Sequence, residues 1–355
     1  MILSAIVAAL LAGAGAAWLF GRRPENVGRG WASVPEASQD AAEARAALDP
    51  ALLPDMRQRF LRAALGVTDA TTAASGTPEH RQVMDAVLVA LERADLSQRY
   101  IPRRPHLLPQ LIQSVNDSTA SARSISRIIG SDPGLTVNLL RIANSPFYRV
   151  QRRELRSIER AVTMIGNEGI RQIITAALVQ PVMSLPERDG GRFSQQLWDY
   201  TLRMSLATAD HARSVEREDG FPAQMAGMLR GLGMVIVVRA TAEAYSRKQT
   251  LAPSPEVLLS LLERCTPMLA SRIAREWELS ADVIAALGGS AASAQASALA
   301  RSLEVGELAA ALSMLCRENL MATDDAMQLL ADCLPEHVAE WLWKRVNPDD
   351  LRDEE

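Results

Sequence analysis

The sequence predicts an all-α protein, on three observations. From Leu53 onward, apolar residues recur three and four positions apart, as one face of a helix demands. Helix-start and helix-stop residues bracket these stretches, with Asp132-Pro133 and Asn144-Ser145-Pro146 the sharpest pair. No stretch alternates with the period of two that marks a half-buried strand. The short apolar run 235–238 has helical flanks and reads as buried helix.

The first element is apolar on every face. Residues 2–20 carry no charge, and a helix of that length spans about 28 Å, close to the hydrocarbon thickness of a bilayer. Trp18 and Phe20 stand where an interfacial aromatic belt lies. Arg22, Arg23 and Arg29 follow at once and no Lys or Arg precedes, which puts the bulk of the chain in the cytoplasm. A cleaved signal peptide, with Ala-Gly-Ala as its small-residue site, lacks its usual basic n-region here. A buried core helix is the third and weaker reading of a run that is apolar on every face. The expectation is a single-pass anchor over residues 1–22 in the inner (cytoplasmic) membrane.

A membrane-proximal segment, 23–95, follows. Its opening mixes Pro, Gly, Ser and charge as a linker does. Leu53, Met56, Phe60, Leu61 and Leu65 then share one helical face, and Val83, Ala86, Val87 and Ala90 another, with a loop over 66–78 between them. The two helices form either a hairpin near the membrane or an arm packed on the main domain. Pro109 opens the next helix at its first turn, with Leu108, Leu111, Ile112 and Val115 on one stripe. Ser121 caps one carrying Ile125, Ile128 and Ile129. Asp132-Pro133 starts a helix facing Leu135, Leu139, Leu140 and Ile142 inward. Asn144, tolerant of the left-handed conformation, ends it before Pro146. Ile158, Ala161, Val162 and Ile165 form a stretch closed by Gly166, and Ile170, Ile174, Ala177 and Leu178 one closed before Pro181. Further helices cover about 196–215, 222–245, 255–278, 281–287 and the segments after 292. Thr323-Asp324-Asp325 reads as a cap with an acidic first turn, Pro335 starts a last helix, and the acidic tail 349–355 frays.

Composition narrows the function. The chain has 355 residues, 48% hydrophobic and 23% charged, which is a globular balance. A net charge of −4 argues against a general nucleic-acid binder, and 4% aromatic residues against a base-stacking platform. Cys265, Cys316 and Cys333 are widely spaced, so they offer neither a disulfide framework nor a zinc knuckle and read as buried reduced thiols.

Three segments carry a family likeness: IPRRPHLLPQLIQSVND at 101–117, SISRIIGSDPGLTVNLLRIANSPFY at 124–148, and SIERAVTMIGNEGIRQIITAALV at 157–179. With these, the chain resembles the HDOD domain, a bacterial signalling domain related to the HD phosphohydrolases. The spacing of Asp132-Pro133, Leu140 and Asn144-Ser145, and of Ile158, Ala161 and Gly166, is similar to the family's. The resemblance implies an all-α fold of two helical lobes over 96–290, with residues 291–355 as a C-terminal helical extension. It also implies work by interaction rather than catalysis. HD enzymes hold a divalent metal with a His, an adjacent His-Asp pair and a further Asp. By resemblance, the segment 197–204 carries the first ligand position and places Tyr200 there. The segment 226–237 carries the His-Asp position and places Arg230 and Gly231 there, and Gly288-Gly289 stand near a later His pair. A guanidinium has no lone pair for a cation and glycine no side chain, so the resemblance implies a catalytically silent domain with no catalytic, cofactor or metal residues. An arginine there repels a metal and attracts a phosphate or carboxylate.

Other candidates are weaker. His80, His106, His211 and His337 form no metal-spaced pair, and Asp210-His211 reverses the enzyme order and reads as a surface or capping pair. Gly227, Gly231 and Gly233 follow no strand, so they read as close helix packing rather than a phosphate loop. Arg149, Arg152, Arg153, Arg156, Arg160 and Arg171 read as a solvated face beside Glu154, Glu159 and Glu168, against a contact for an acidic partner, nucleotide or anionic lipid. Trp341, Trp343, Met225, Met228 and Met234 read as core. The function expected is a membrane-tethered, non-catalytic regulator in signal transduction, acting through protein partners, with no cofactor and no nucleic acid. The alternatives are a divergent HD-type phosphohydrolase or cyclic-dinucleotide phosphodiesterase, and a nucleotide-binding sensor that uses Arg230.

Overall fold

The computed structural model describes residues 51–67, 77–93, 100–102, 104–105, 107, 109, 122–148, 154–183, 185, 191–248, 250–288 and 297–348. The anchor expected over residues 1–22, the helix expected after Pro109, His106, Gly289 and the arginines at 149, 152 and 153 lie outside them. Among the described residues there are helices and no strand.

Local signals place the helices. Leu52–Ala64 (α1) follows the 53–61 stripe, and Pro78–Glu92 (α2) starts where the Thr77 hydroxyl accepts from the His80 amide at 3.4 Å. Ala122–Gly130 (α3) leads into Pro133–Ala143 (α4), whose N-cap Asp132 accepts from the Leu135 amide at 3.0 Å. Asn144 closes α4 by a different device from the one expected. Its backbone stays right-handed, with φ −92° and ψ −2°, and its amide reaches across to the next segment. Nδ2 donates to Leu140 O (2.8 Å) and Leu155 O (2.9 Å), while Oδ1 accepts from Leu155 N (2.7 Å). Ile158–Val179 (α5) is capped by Ser157 and bends at Gly166, whose φ of 79° falls in a region that favours glycine, so the two stretches expected there join across a kink.

The remainder is helical to the end of the described chain. Arg192–His211 (α6) passes through a π turn, Ala212–Glu216, into Gly220–Ser246 (α7). Pro255–Glu276 (α8), Ala281–Gly288 (α9), Ala298–Arg317 (α10), Thr323–Ala331 (α11) and Glu336–Val346 (α12) follow. Thr323 is the first helical residue of α11, not its cap. Ala322 holds the cap position and makes no side-chain bond.

Helices α3, α4 and α5 pack on one another as the smaller of two lobes, and α5 also meets α7. The larger lobe is built on α6, which packs against both α7 and α10; these two also touch each other, and α8 packs on α7. The first two helices form an arm packed on the domain: α1 lies on α10, and α2 on α7 and α8. Helix α7 is the one among the described residues long and apolar enough to cross a membrane, but 83% of its apolar window is buried within the protein, so it is a core helix. Its Met225, Met228 and Met234 lie in that core, as does Trp343, while Trp341 is half-buried.

Candidate functional site

Helix α6 is the floor of the site, and short hydroxyl side chains let its neighbours come close. Thr201 and Thr208 donate to the carbonyls four residues back, Leu197 and Met204, at 2.7 Å each, and Ser205 to Leu202 at 2.9 Å. Each hydroxyl is thus satisfied within its own helix. Glycines face them. A Cβ on Gly231 would run into the Thr201 side chain, one on Gly306 into Thr208, and one on Gly227 would sit 2.6 Å from Ser205 Cα. The glycines of α7 therefore serve helix contact, as their spacing predicts.

This close approach brings Tyr200, Arg230 and Glu307 together. Tyr200 is fully buried and stacks on Phe60 of α1, with ring centroids 4.8 Å apart. Arg230 is 7% exposed and Glu307 2%. Arg230 Nε lies 3.2 Å from Glu307 Oε1, and from the other side Arg57 Nη1 donates to Glu307 Oε2 at 3.1 Å. Burial works to lower the Arg57 pKa, but Glu307, Tyr200 and Glu263 together outweigh it and the net direction is upward. Burial raises the Tyr200 pKa strongly, the Glu307 charge raises it further, and the phenol stays neutral. The Tyr200 hydroxyl has no hydrogen-bond partner among the described residues.

These residues do not fit a divalent metal. A phenol held neutral, a permanent cation and a glycine stand at the positions where the resemblance places the ligands of the HD enzymes. The one carboxylate, Glu307, already faces two guanidiniums. Among the described residues, no three His, Cys, Asp or Glu side chains are grouped to hold an ion. Gly288 ends α9 beside Ser271 and supplies no donor. The attraction expected of Arg230 for an anion is met inside the protein, by Glu307.

A second buried network joins the lobes. Arg345 of α12 donates from Nε to Asp210 Oδ2 (2.9 Å), from Nη1 to Phe147 O (3.0 Å) and from Nη2 to Gln172 Oε1 (2.9 Å). Arg213, one residue into the π turn, pairs with the other oxygen of Asp210. Arg203 donates to Val346 O and lies over the Phe147 ring. Asp210-His211 is thus no surface pair. Both are buried, and His211 Nδ1 lies 3.0 Å from Ser302 Oγ. His80 is also internal, 2.9 Å from the Tyr245 hydroxyl. Cys265 and Cys333 are buried and Cys316 is half-buried, which corrects the expectation for that thiol. Burial and nearby Glu92 push the Cys265 thiol up to about 11.

The arginine-rich segment divides. Arg171 is drawn inward, 3.7 Å from Asp219 and over the Phe221 ring, whereas Arg156 is exposed and 3.6 Å from Glu154. Sequence reasoning placed Tyr200 and Arg230 but missed Glu307, Arg57 and Arg345. The signal for Glu307 is in the chain: it is the lone charge in the run 305–316, otherwise apolar or small, and a carboxylate on an all-buried helix demands a buried partner.

Comparison with known proteins bears on the family and the fold. The family model of the HDOD domain matches residues 101–291. A structure from Shewanella amazonensis SB2B, of a protein that carries the name of a metal-dependent phosphohydrolase, superposes with TM-score 0.53 at 18% identity, covering 77% of this chain and 98% of its own. A second from the same organism, under the name of a phosphohydrolase, gives 0.51 at 19% identity over 74% and 99%. An HDOD domain protein of unknown function from Geobacter sulfurreducens gives 0.48 at 15% identity over 75% and 87%. No curated protein matches. At these identities the likeness is one of fold.

Proposed function

Since the chain belongs to the HDOD family, we propose that it is a non-catalytic regulatory protein of bacterial signal transduction that works by docking protein partners. The observation that carries this reading is the Arg57–Glu307–Arg230 cluster under Tyr200. Where an HD hydrolase needs lone pairs turned toward an ion, this domain has a carboxylate between two fixed cations and a ring stack closing over it. Water activation on a metal needs converging neutral imidazoles and carboxylates, and these residues cannot supply them.

Residues 2–20 tether the domain to the inner membrane, with the domain on the cytoplasmic side by the arginines that follow. The nucleotide-sensor alternative loses ground, because Arg230 is buried and already paired.

The test uses the intact protein purified from membranes. It should co-purify with a signalling protein in fixed ratio and leave phosphodiesters and cyclic dinucleotides unhydrolysed in the presence of Mn²⁺. Turnover that survives further purification overturns the reading.

A further inference from the structure

We infer that the face of α6 and α10 beneath α1 is a docking site for a basic amphipathic helix of a partner protein, and that α1 covers this site in cis. The inference rests on the reading of the domain as a docking module and names where the partner sits.

Helix α1 lies outside the residues that match the family. It holds the domain by a narrow stripe, Leu53, Met56, Phe60 and Leu61, and by two ion pairs, Arg57 to Glu307 at 3.1 Å and Arg62 to Glu256 at 2.7 Å. Both arginines keep solvent contact, so salt weakens these pairs. The seam between α1 and α8 is also open. A cleft of about 210 Å³ runs along it, between Pro54, Asp55 and Gln58 on one side and Leu259 and Glu263 on the other. An element held by one apolar stripe and screened ion pairs belongs to the less stable end of a fold's local openings.

Withdrawal of α1 uncovers the face of the Tyr200 ring and Glu307, with Glu256 and Glu263 of α8 along the adjoining cleft. An aromatic centre with a carboxylate rim selects a helix bearing a ring and a cation three residues apart, as Phe60 and Arg57 are on α1 itself. Arg230 keeps Glu307 compensated while the site is open, so the exchange leaves no buried charge alone.

The probe is a fluorescent peptide of residues 51–66, titrated into the full-length protein in detergent micelles. The double variant Arg57→Ala/Phe60→Ala should bind it about tenfold tighter than the wild type does, and a peptide carrying the same two changes should not bind. A folded double variant that ignores the peptide, or equal binding by both proteins, overturns the inference. Hydrogen exchange on the wild type gives an independent reading that needs no variant. Amides of Leu52–Ala64 should exchange about tenfold faster than those of Ala298–Arg317, and faster still at high salt. Release of both helices together overturns the inference, as does a dimer formed by trading α1 between copies. Peptide binding and phosphodiester turnover are separate readouts, so this inference and the reading it rests on fail separately.

Discussion

Arg230 on α7 and Glu307 on α10 meet with Nε 3.2 Å from Oε1, and almost no solvent reaches either. Both helices pack on α6 and touch each other, so the pair sits where three helices meet and where the resemblance places a metal centre. Replacing Glu307 by Ala leaves Arg230 buried without its counter-ion, and the expected cost is about 3–5 kcal/mol. Arg57 has solvent to turn to and adds little. Combining Arg230→Met with Glu307→Leu should recover most of the loss, read by urea denaturation.

The glycine contacts differ in what could relieve them. Gly231→Ala presses on the Thr201 side chain and should destabilise by about 1–3 kcal/mol, part of it returned by Thr201→Ala. Gly227→Ala presses on Ser205 Cα, so Ser205→Ala should return nothing. Thermal melts of the four variants check the ordering.

Arg345 binds three acceptors from three different segments: Asp210, the Phe147 carbonyl and Gln172. A lysine places one charge at one point and cannot span them. Both Arg345→Lys and Arg345→Ala should therefore destabilise, the latter by about 3–5 kcal/mol because Asp210 loses a buried partner. Hydrogen exchange should show the loss first in α4 and α5, which α12 ties to the larger lobe.

Tyr200 has its pKa raised in the folded protein, by burial and then by Glu307. A raised pKa means the folded state holds the proton after the unfolded chain has released it. The stabilisation is complete below the unfolded tyrosine value and declines as pH climbs past about 10. Tyr200→Phe should keep the stack on Phe60, remove an unpartnered buried hydroxyl and gain about 1 kcal/mol at neutral pH. It should also flatten the alkaline fall in stability, and Tyr148, raised by its own burial, accounts for part of what is left. Urea titrations at pH 7 and pH 10.5 for the two proteins make the comparison.

The fold was legible because its signals are local. Asp132 caps α4 as its identity dictates, Gly166 bends α5, and α7 reads as buried because no face of it is polar. That Arg230 and Gly231 offer a cation no donor was legible from residue type alone, and the resemblance reads them at ligand positions. The ion-pair cluster around Arg230 was not legible. Glu307 and Arg57 lie 250 positions apart, outside the recognisable segments on either side, and only the packed helices bring them together. His211 shows the opposite failure. A histidine at a helix end usually faces water, but α10 covers this one and supplies the Ser302 hydroxyl. Asn144 shows a third. Its place at a helix end was evident, but its side-chain bridge to Leu155 depends on a partner eleven residues further on.

The most direct measurement is the metal content of the intact protein after exposure to Mn²⁺, Fe²⁺ and Zn²⁺, by elemental analysis and by calorimetric titration. A guanidinium opposite Glu307 in place of an ion predicts far less than one metal per chain and no saturable heat. Stoichiometric metal that is lost on Glu307→Ala would contradict the account at its centre.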